Sequence, residues 1–134
     1  MKKFLLNILF GCFLTLSISA QSDIITVFEA VKIKNERQAE ALFYYENNWK
    51  EIRVKALEKD YIHSFELIES KANEEADFDI FLITRYKNQK QFDESEENFQ
   101  HVMRKNDGVK LLNNWKPSEF RKSVFVKTGK NIVK

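Results

Sequence analysis

The chain has 134 residues, a length for one domain, and its 22 lysines and arginines nearly balance 20 acidic residues, for a formal charge of +2. So even a balance removes the clustered basic surface on which nucleic-acid binding rests. A single cysteine, Cys12, excludes a disulfide within the chain and a thiolate metal cage.

Met1, Lys2 and Lys3 precede the mostly apolar run Phe4–Ile18, and "SISAQS" offers Ala20 as a small residue at a cleavage point. This pattern predicts a secretory signal over residues 1–20, export to the periplasm or beyond, and a mature chain from about Gln21. The run is shorter than the roughly 20 residues a spanning helix needs and Asn7 interrupts it, so no stable membrane insertion is expected after cleavage. "LFGC" loosely resembles a lipoprotein box, but Phe10 is bulky for one, and lipidation at Cys12 would leave the apolar "FLTLSISA" behind it. Cleavage after Ala20 removes Lys2, Lys3 and Cys12, leaving 20 basic against 20 acidic residues and nine of the 12 phenylalanines. The mature chain must therefore rely on an aromatic-rich core rather than on cross-links.

"DIITVFEAVKIK" is rich in β-branched residues, with Ile25, Val27, Glu29, Val31 and Ile33 on one face at period two, and is expected to be a strand. Asn35 with Gln38 forms a capping-box pattern ahead of a long stretch to about Glu58 without Gly or Pro. Ala39, Leu42, Tyr45 or Glu46, Trp49, Ile52 and Ala56 recur there at helical spacing. "YIHSFELIES" alternates as a second strand. Polar "KANEEAD" separates it from "FDIFLITRY", whose continuous apolar centre predicts a strand covered on both faces. Asn88 with Gln91 repeats the capping pattern before a helix through Phe92, Phe99, Val102 and Met103 to about Lys105, with Gly108 as terminator. "VKLLNNWKP" is irregular, "SEFRKSVFVK" is a fourth strand, and "TGKNIVK", residues 128–134, is a loose tail. The folded domain is thus expected over 21–127.

The resulting order, βαββαβ, is made of two strand–helix–strand halves, and "KNERQ" and "KNQKQ" fall at corresponding junctions of the two. An α+β, ferredoxin-like arrangement follows: a four-stranded antiparallel sheet with two helices on one face. The third strand is apolar in both phases, so its open-face residues Phe81 and Ile83 would form an exposed patch on a monomer. Burial of that patch between two copies predicts an isologous homodimer.

From Ile24 to about Lys127 the chain resembles the dimeric α+β barrel superfamily. Within it, "YYENNWKEIRVKALEKDYIHSFEL" resembles small exported bacterial members of unknown function, which carry a Trp midway along a long first helix and an "I-x-S" entry to the second strand. Here these are Trp49, Ile62 and Ser64. The resemblance implies a fold whose relatives include cofactor-free monooxygenases, haem-degrading enzymes and small-molecule isomerases or lyases. The haem-degrading pattern resembles an Asn on the first strand, a pocket Trp and a His on the second helix. His101 matches the last, but no Asn lies within Ile24–Lys34, and Trp49 is on the first helix. That departure argues against haem, and no cofactor is expected.

Glu29 interrupts an apolar strand face, where a carboxylate is costly unless paired, and Arg85 on the neighbouring strand is the expected partner. The pair would serve as a structural ion pair or make Glu29 a general base. His63, alternating with Phe65 and Leu67, is a candidate proton shuttle near a pocket rim, or else a packed histidine. Tyr45, Trp49 and Arg53 share a helix face at spacing four and are the candidate ligand-binding set, together with Arg85; the same residues also suit ordinary core packing. His63 and His101 lack acidic neighbours at ligand spacing, so no metal site is expected. Three functions remain open: an exported homodimer binding a small molecule, a cofactor-independent monooxygenase or isomerase acting on a small aromatic or apolar substrate, and a purely structural dimer.

Overall fold

A computed structural model describes residues 23–132; the expected signal segment, with Cys12, lies outside the described residues. β1 (Ile25–Ile33) leads into α1 (Gln38–Tyr44), a π-helical turn (Tyr45–Trp49) and α2 (Lys50–Glu58), which together form one long helix. β2 (Ser64–Glu69) and β3 (Ile80–Tyr86) follow, then α3 (Gln89–Asp93) and α4 (Ser95–Arg104). A short α5 (Pro117–Phe120) precedes β4 (Arg121–Lys130).

The four strands lie in the order β2-β3-β1-β4 and every neighbouring pair is antiparallel. This is the expected ferredoxin-like α+β architecture. β1 and β3 occupy the centre, as their apolar content demands. Val31, Ile80 and Leu82 meet Tyr45 and Trp49 on the helix side, and Ile25 and Tyr86 meet Ala56 and Val102. Among the described residues no helix is long and apolar enough to cross a membrane.

The two similar junctions differ in detail. After β3, Asn88 is the N-cap, and its Oδ1 accepts from the Gln91 N–H at 2.9 Å, as expected. After β1 the cap is Arg37, and Asn35 and Glu36 instead form a left-handed turn with φ of 55° and 54°. Asn35 is engaged elsewhere: its Nδ2 donates to the Glu119 carbonyl at 2.7 Å, beside Lys34 N to the Phe120 carbonyl at 2.9 Å. Those are carbonyls at the end of α5, which a helix of one turn leaves without internal partners.

Two other boundaries move. Thr128, Gly129 and Lys130, expected to begin a loose tail, extend β4 and pair with Val27, Thr26 and Ile25. Residues 61–63 precede β2, because the chain there is still turning out of α2: Tyr61 N donates to the Ala56 carbonyl at 2.8 Å.

On the open face, Ala30 lies between Phe81 on β3 and Phe125 on β4. Its small side chain lets the flanking rings come together over it, with centroids 6.5 Å apart, and Ala30 itself is fully buried. Phe28 stacks on Phe81 at 5.9 Å, and Phe78 adds a further ring at 5.9 Å from Phe81. Ile83, expected to be exposed, is only 6% so within this ring layer, whereas Ile68 and Phe125 remain 40% and 38% exposed.

Candidate functional site

The long helix sets the geometry. A run of buried side chains in steps of four, Ala41, Tyr45 and Trp49, followed by Arg53, would drift about 40° per step around a regular α-helix. The π turn over Tyr45–Trp49 widens the coil where the drift accumulates. Such turns are concentrated at functional sites. The turn loosens the local backbone ladder, and Asn48 Nδ2 donates to the Tyr44 carbonyl at 3.0 Å.

The same Asn48 reaches across to the segment after α4. Its Nδ2 donates to the Lys110 carbonyl at 2.8 Å and its Oδ1 accepts from the Lys110 N–H at 2.7 Å, so one buried side chain satisfies both backbone groups. Lys55 Nζ donates to Asn106 Oδ1 at 2.6 Å, and the Lys110 ammonium pairs with Glu51 at 2.9 Å. These contacts hold residues 106–110 away from the helix by a fixed span. Gly108, at φ +90°, makes the bend that a side-chain-bearing residue would strain to adopt.

Between that segment, α4 and the long helix lies a cavity of about 270 Å³ lined by Tyr44, Trp49, Ile52, Arg53, Met103 and Val109, among others. Its walls are mainly apolar and aromatic, and Arg53 is the ionised group in its lining. The Arg53 guanidinium lies between two rings, 4.4 Å from the Trp49 centroid and 4.5 Å from that of Phe99. Its Nε is buried without a hydrogen-bond partner, and burial pulls its pKa down to about 10, which leaves it charged at neutral pH.

Beneath this cavity a second cluster joins helix to sheet. Tyr45 is 1% exposed, and its hydroxyl accepts from Arg121 Nη1 at 3.4 Å. Burial pushes the Tyr45 phenol up to about 12, against the opposing pull of Arg121. Glu29 faces this layer from β1, close enough to be felt by Tyr45, Arg53 and Arg121. No ion pair among the described residues joins it to either arginine.

The candidate residues therefore separate. Trp49 and Arg53 line the cavity, while Tyr45 points below it and its neighbour Tyr44 takes the lining position. The expected Glu29–Arg85 pair does not form. Glu29 stands opposite Leu82 and Arg85 opposite Thr26, three residues out of phase, so their side chains leave opposite faces of the sheet. Arg85 instead pairs with Glu66 on the open face. His63 is exposed just before β2, outside the cavity lining, and His101 lies 3.4 Å from the Tyr61 hydroxyl. No cluster of three or more potential metal ligands occurs among the described residues.

Asn48 and Arg121 escaped the sequence reading, which placed Tyr44 in the same polar-aromatic cluster as Tyr45, Trp49 and Arg53 but gave the ligand-facing position to Tyr45. The run of fours was the available signal for Asn48, since it implies a widened helix. Arg121 had none, because α5 hides the start of its strand.

No protein-family model and no curated protein sequence matches the chain. Among solved structures, HapK from Hahella chejuensis aligns over 81% of this chain and 92% of its own, with a TM-score of 0.52 and 13% identity. The likeness shows the fold, a ferredoxin-like four-stranded antiparallel sheet with helices. An EthD family protein from Bacillus halodurans aligns over 81% and 98% of the two chains, with a TM-score of 0.48 and 8% identity. For a NIPSNAP-like domain protein from Burkholderia xenovorans the shares are 81% and 84%, with a TM-score of 0.47 and 9% identity. This fold carries varied functions, so the reading below rests on the chain's own side chains.

Proposed function

We propose that this protein is an exported homodimer that holds a small, partly apolar molecule in the cavity between the long helix and the segment after α4. The observation that carries the reading is the cavity of about 270 Å³ lined by Tyr44, Trp49, Ile52, Arg53, Met103 and Val109. It lies just below the range of roughly 300–1,000 Å³ usual for small-molecule sites, and it pairs apolar walls with few polar groups as such sites do. Export is supported by the basic, apolar and small-residue succession of residues 1–20. The dimer is supported by the open sheet face, where Phe81, Phe125 and Ile68 form an apolar surface that a second copy would cover.

A cofactor-independent oxygenase or isomerase would need a titratable base at the cavity wall. Neither Glu29 nor His63 is among the lining residues, so binding is the reading favoured here.

Native mass spectrometry of the protein purified from the envelope fraction of its own host tests both parts. A dimer with a reproducible extra mass is expected. A monomer without one overturns the proposal, and a bare dimer reduces it to the structural reading. Phe81→Asp is expected to weaken dimerisation at least about 100-fold, on the scale of losses at interface hot spots, with the far-ultraviolet spectrum unchanged, whereas Glu29→Gln leaves the dimer intact.

A further inference from the structure

Arg53 is an expensive residue for an empty cavity. Its charge is flanked by the Trp49 and Phe99 rings, its Nε is sealed without a partner, and no carboxylate among the described residues forms an ion pair with it. Arg37 and Arg121 share such an unpartnered Nε, but Arg37 pairs with Glu40 and Arg121 donates to the Tyr45 hydroxyl, whereas Arg53 has neither kind of contact. A buried cation normally recovers its desolvation cost from a counter-charge. The rings return only part of that cost, since a cation–π contact contributes about 0.5–2 kcal/mol. The layer around it is also unbalanced: Arg53 and Arg121 face one carboxylate, Glu29, together with the neutral phenols of Tyr45 and Tyr86.

With the two rings covering the guanidinium, an anion can reach it only at its edge, and the cavity that Arg53 lines is the side from which it would come. The size and the lining then restrict the anion. A single unpaired cation compensates one negative charge, which disfavours phosphate esters. Apolar walls formed by Trp49, Ile52, Met103 and Val109 suit a compact hydrocarbon body, and flat rings suit an aromatic one.

We propose that the ligand of this cavity is a small apolar or aromatic monocarboxylate whose carboxylate is received by Arg53. This rests on the binding reading above and names its ligand class. Tyr44 lines the same cavity, and Asn48 is committed to Lys110 and does not take part.

The test compares 2-naphthoate with its neutral isostere 2-naphthamide, titrated into the mature protein and followed by calorimetry and tryptophan fluorescence. The acid is expected to bind at least about tenfold more tightly than the amide, the scale of a charge-assisted hydrogen bond. In Arg53→Gln that ratio falls to near one while amide affinity holds within about threefold, and Arg53→Lys restores part of it, because charge is kept and the planar fork is lost. Arg53→Met in the ligand-free protein is expected to leave Tm unchanged or raised, since it removes an uncompensated charge. A fall of more than about 5 °C would assign Arg53 a structural role and overturn the inference. Equal affinities for acid and amide, unmoved by Arg53→Gln, overturn the carboxylate assignment but keep the binding reading. Binding of neither probe at millimolar concentration overturns both.

Discussion

The two faces of the sheet are both apolar, yet they are completed by different means. On the helix side, Val31, Ile80 and Leu82 are closed over by Tyr45 and Trp49 from another element, and what remains is a bounded cavity. On the open side, Phe28, Phe78, Phe81 and Phe125 close over one another, with Ala30 sunk between them. The first seals the central residues Val31, Ile80 and Leu82 to 3% exposure or less, although Val126 at the β4 edge stays 58% exposed. The second still leaves Ile68 and Phe125 more than a third exposed. Under the proposed function, the face packed by a helix serves stability and ligand, and the face packed by its own rings serves association.

The sharpest way to break that division is Trp49→Ala, which removes a ring wedged between Phe65 and Arg53. Unfolding in guanidinium should show a loss of about 3–5 kcal/mol, as for other buried aromatics. A loss below about 1 kcal/mol would mean that the helix side is not close-packed.

A smaller effect comes from Tyr45, whose phenol is held up to about 12 from an ordinary 10 by burial. Because the folded pKa exceeds the unfolded one, the contribution is complete below pH 10 and is lost as pH rises toward 12. On the order of 2–3 kcal/mol should disappear over that interval in the wild type and be absent in Tyr45→Phe, measured as the difference between their urea midpoints. Identical slopes would show that water reaches the phenol and that the helix side is not sealed.

Ile68→Thr on the open face is expected to change stability by no more than about 0.5 kcal/mol at concentrations where the chain is monomeric. Its cost should then grow with protein concentration. A cost independent of concentration would dissolve the distinction between the faces.

Much of the helix side could be read in the sequence because it obeys simple periods. β1 alternates from Ile25 to Ile33, the long helix lacks Gly and Pro, and β3 is apolar in both phases; these patterns are enough for the strand and helix order and for placing Trp49 and Arg53 on one helix face. Misreadings arose where one side chain chooses between partners that sequence does not rank. Asn35 and Asn88 stand in nearly identical pentapeptides, yet Asn35 serves the carbonyls of α5, 84 residues away, and Asn88 serves its own helix. Charge and a place on the neighbouring strand suggest Arg85 as the partner of Glu29, although a register of one residue decides which face a strand side chain occupies. The cavity itself was not legible, because Asn48 and Lys110 are 62 residues apart and the loop between α4 and α5 has no period.

The π turn has a consequence for how this chain can change length. A widened turn holds one residue more than a regular helix needs to cover the same distance, so a one-residue deletion among Glu46 and Asn47 could be absorbed by tightening the coil, with Ala41 and Ala56 kept in their seats. What tightening would forfeit is the reach of Asn48 to Lys110, and with it the wall opposite Arg53. Scaffold and cavity are thus separable by a single codon: a lineage could lose the cavity and keep the sheet with its helices, or gain one by an insertion that the rest of the protein would scarcely register.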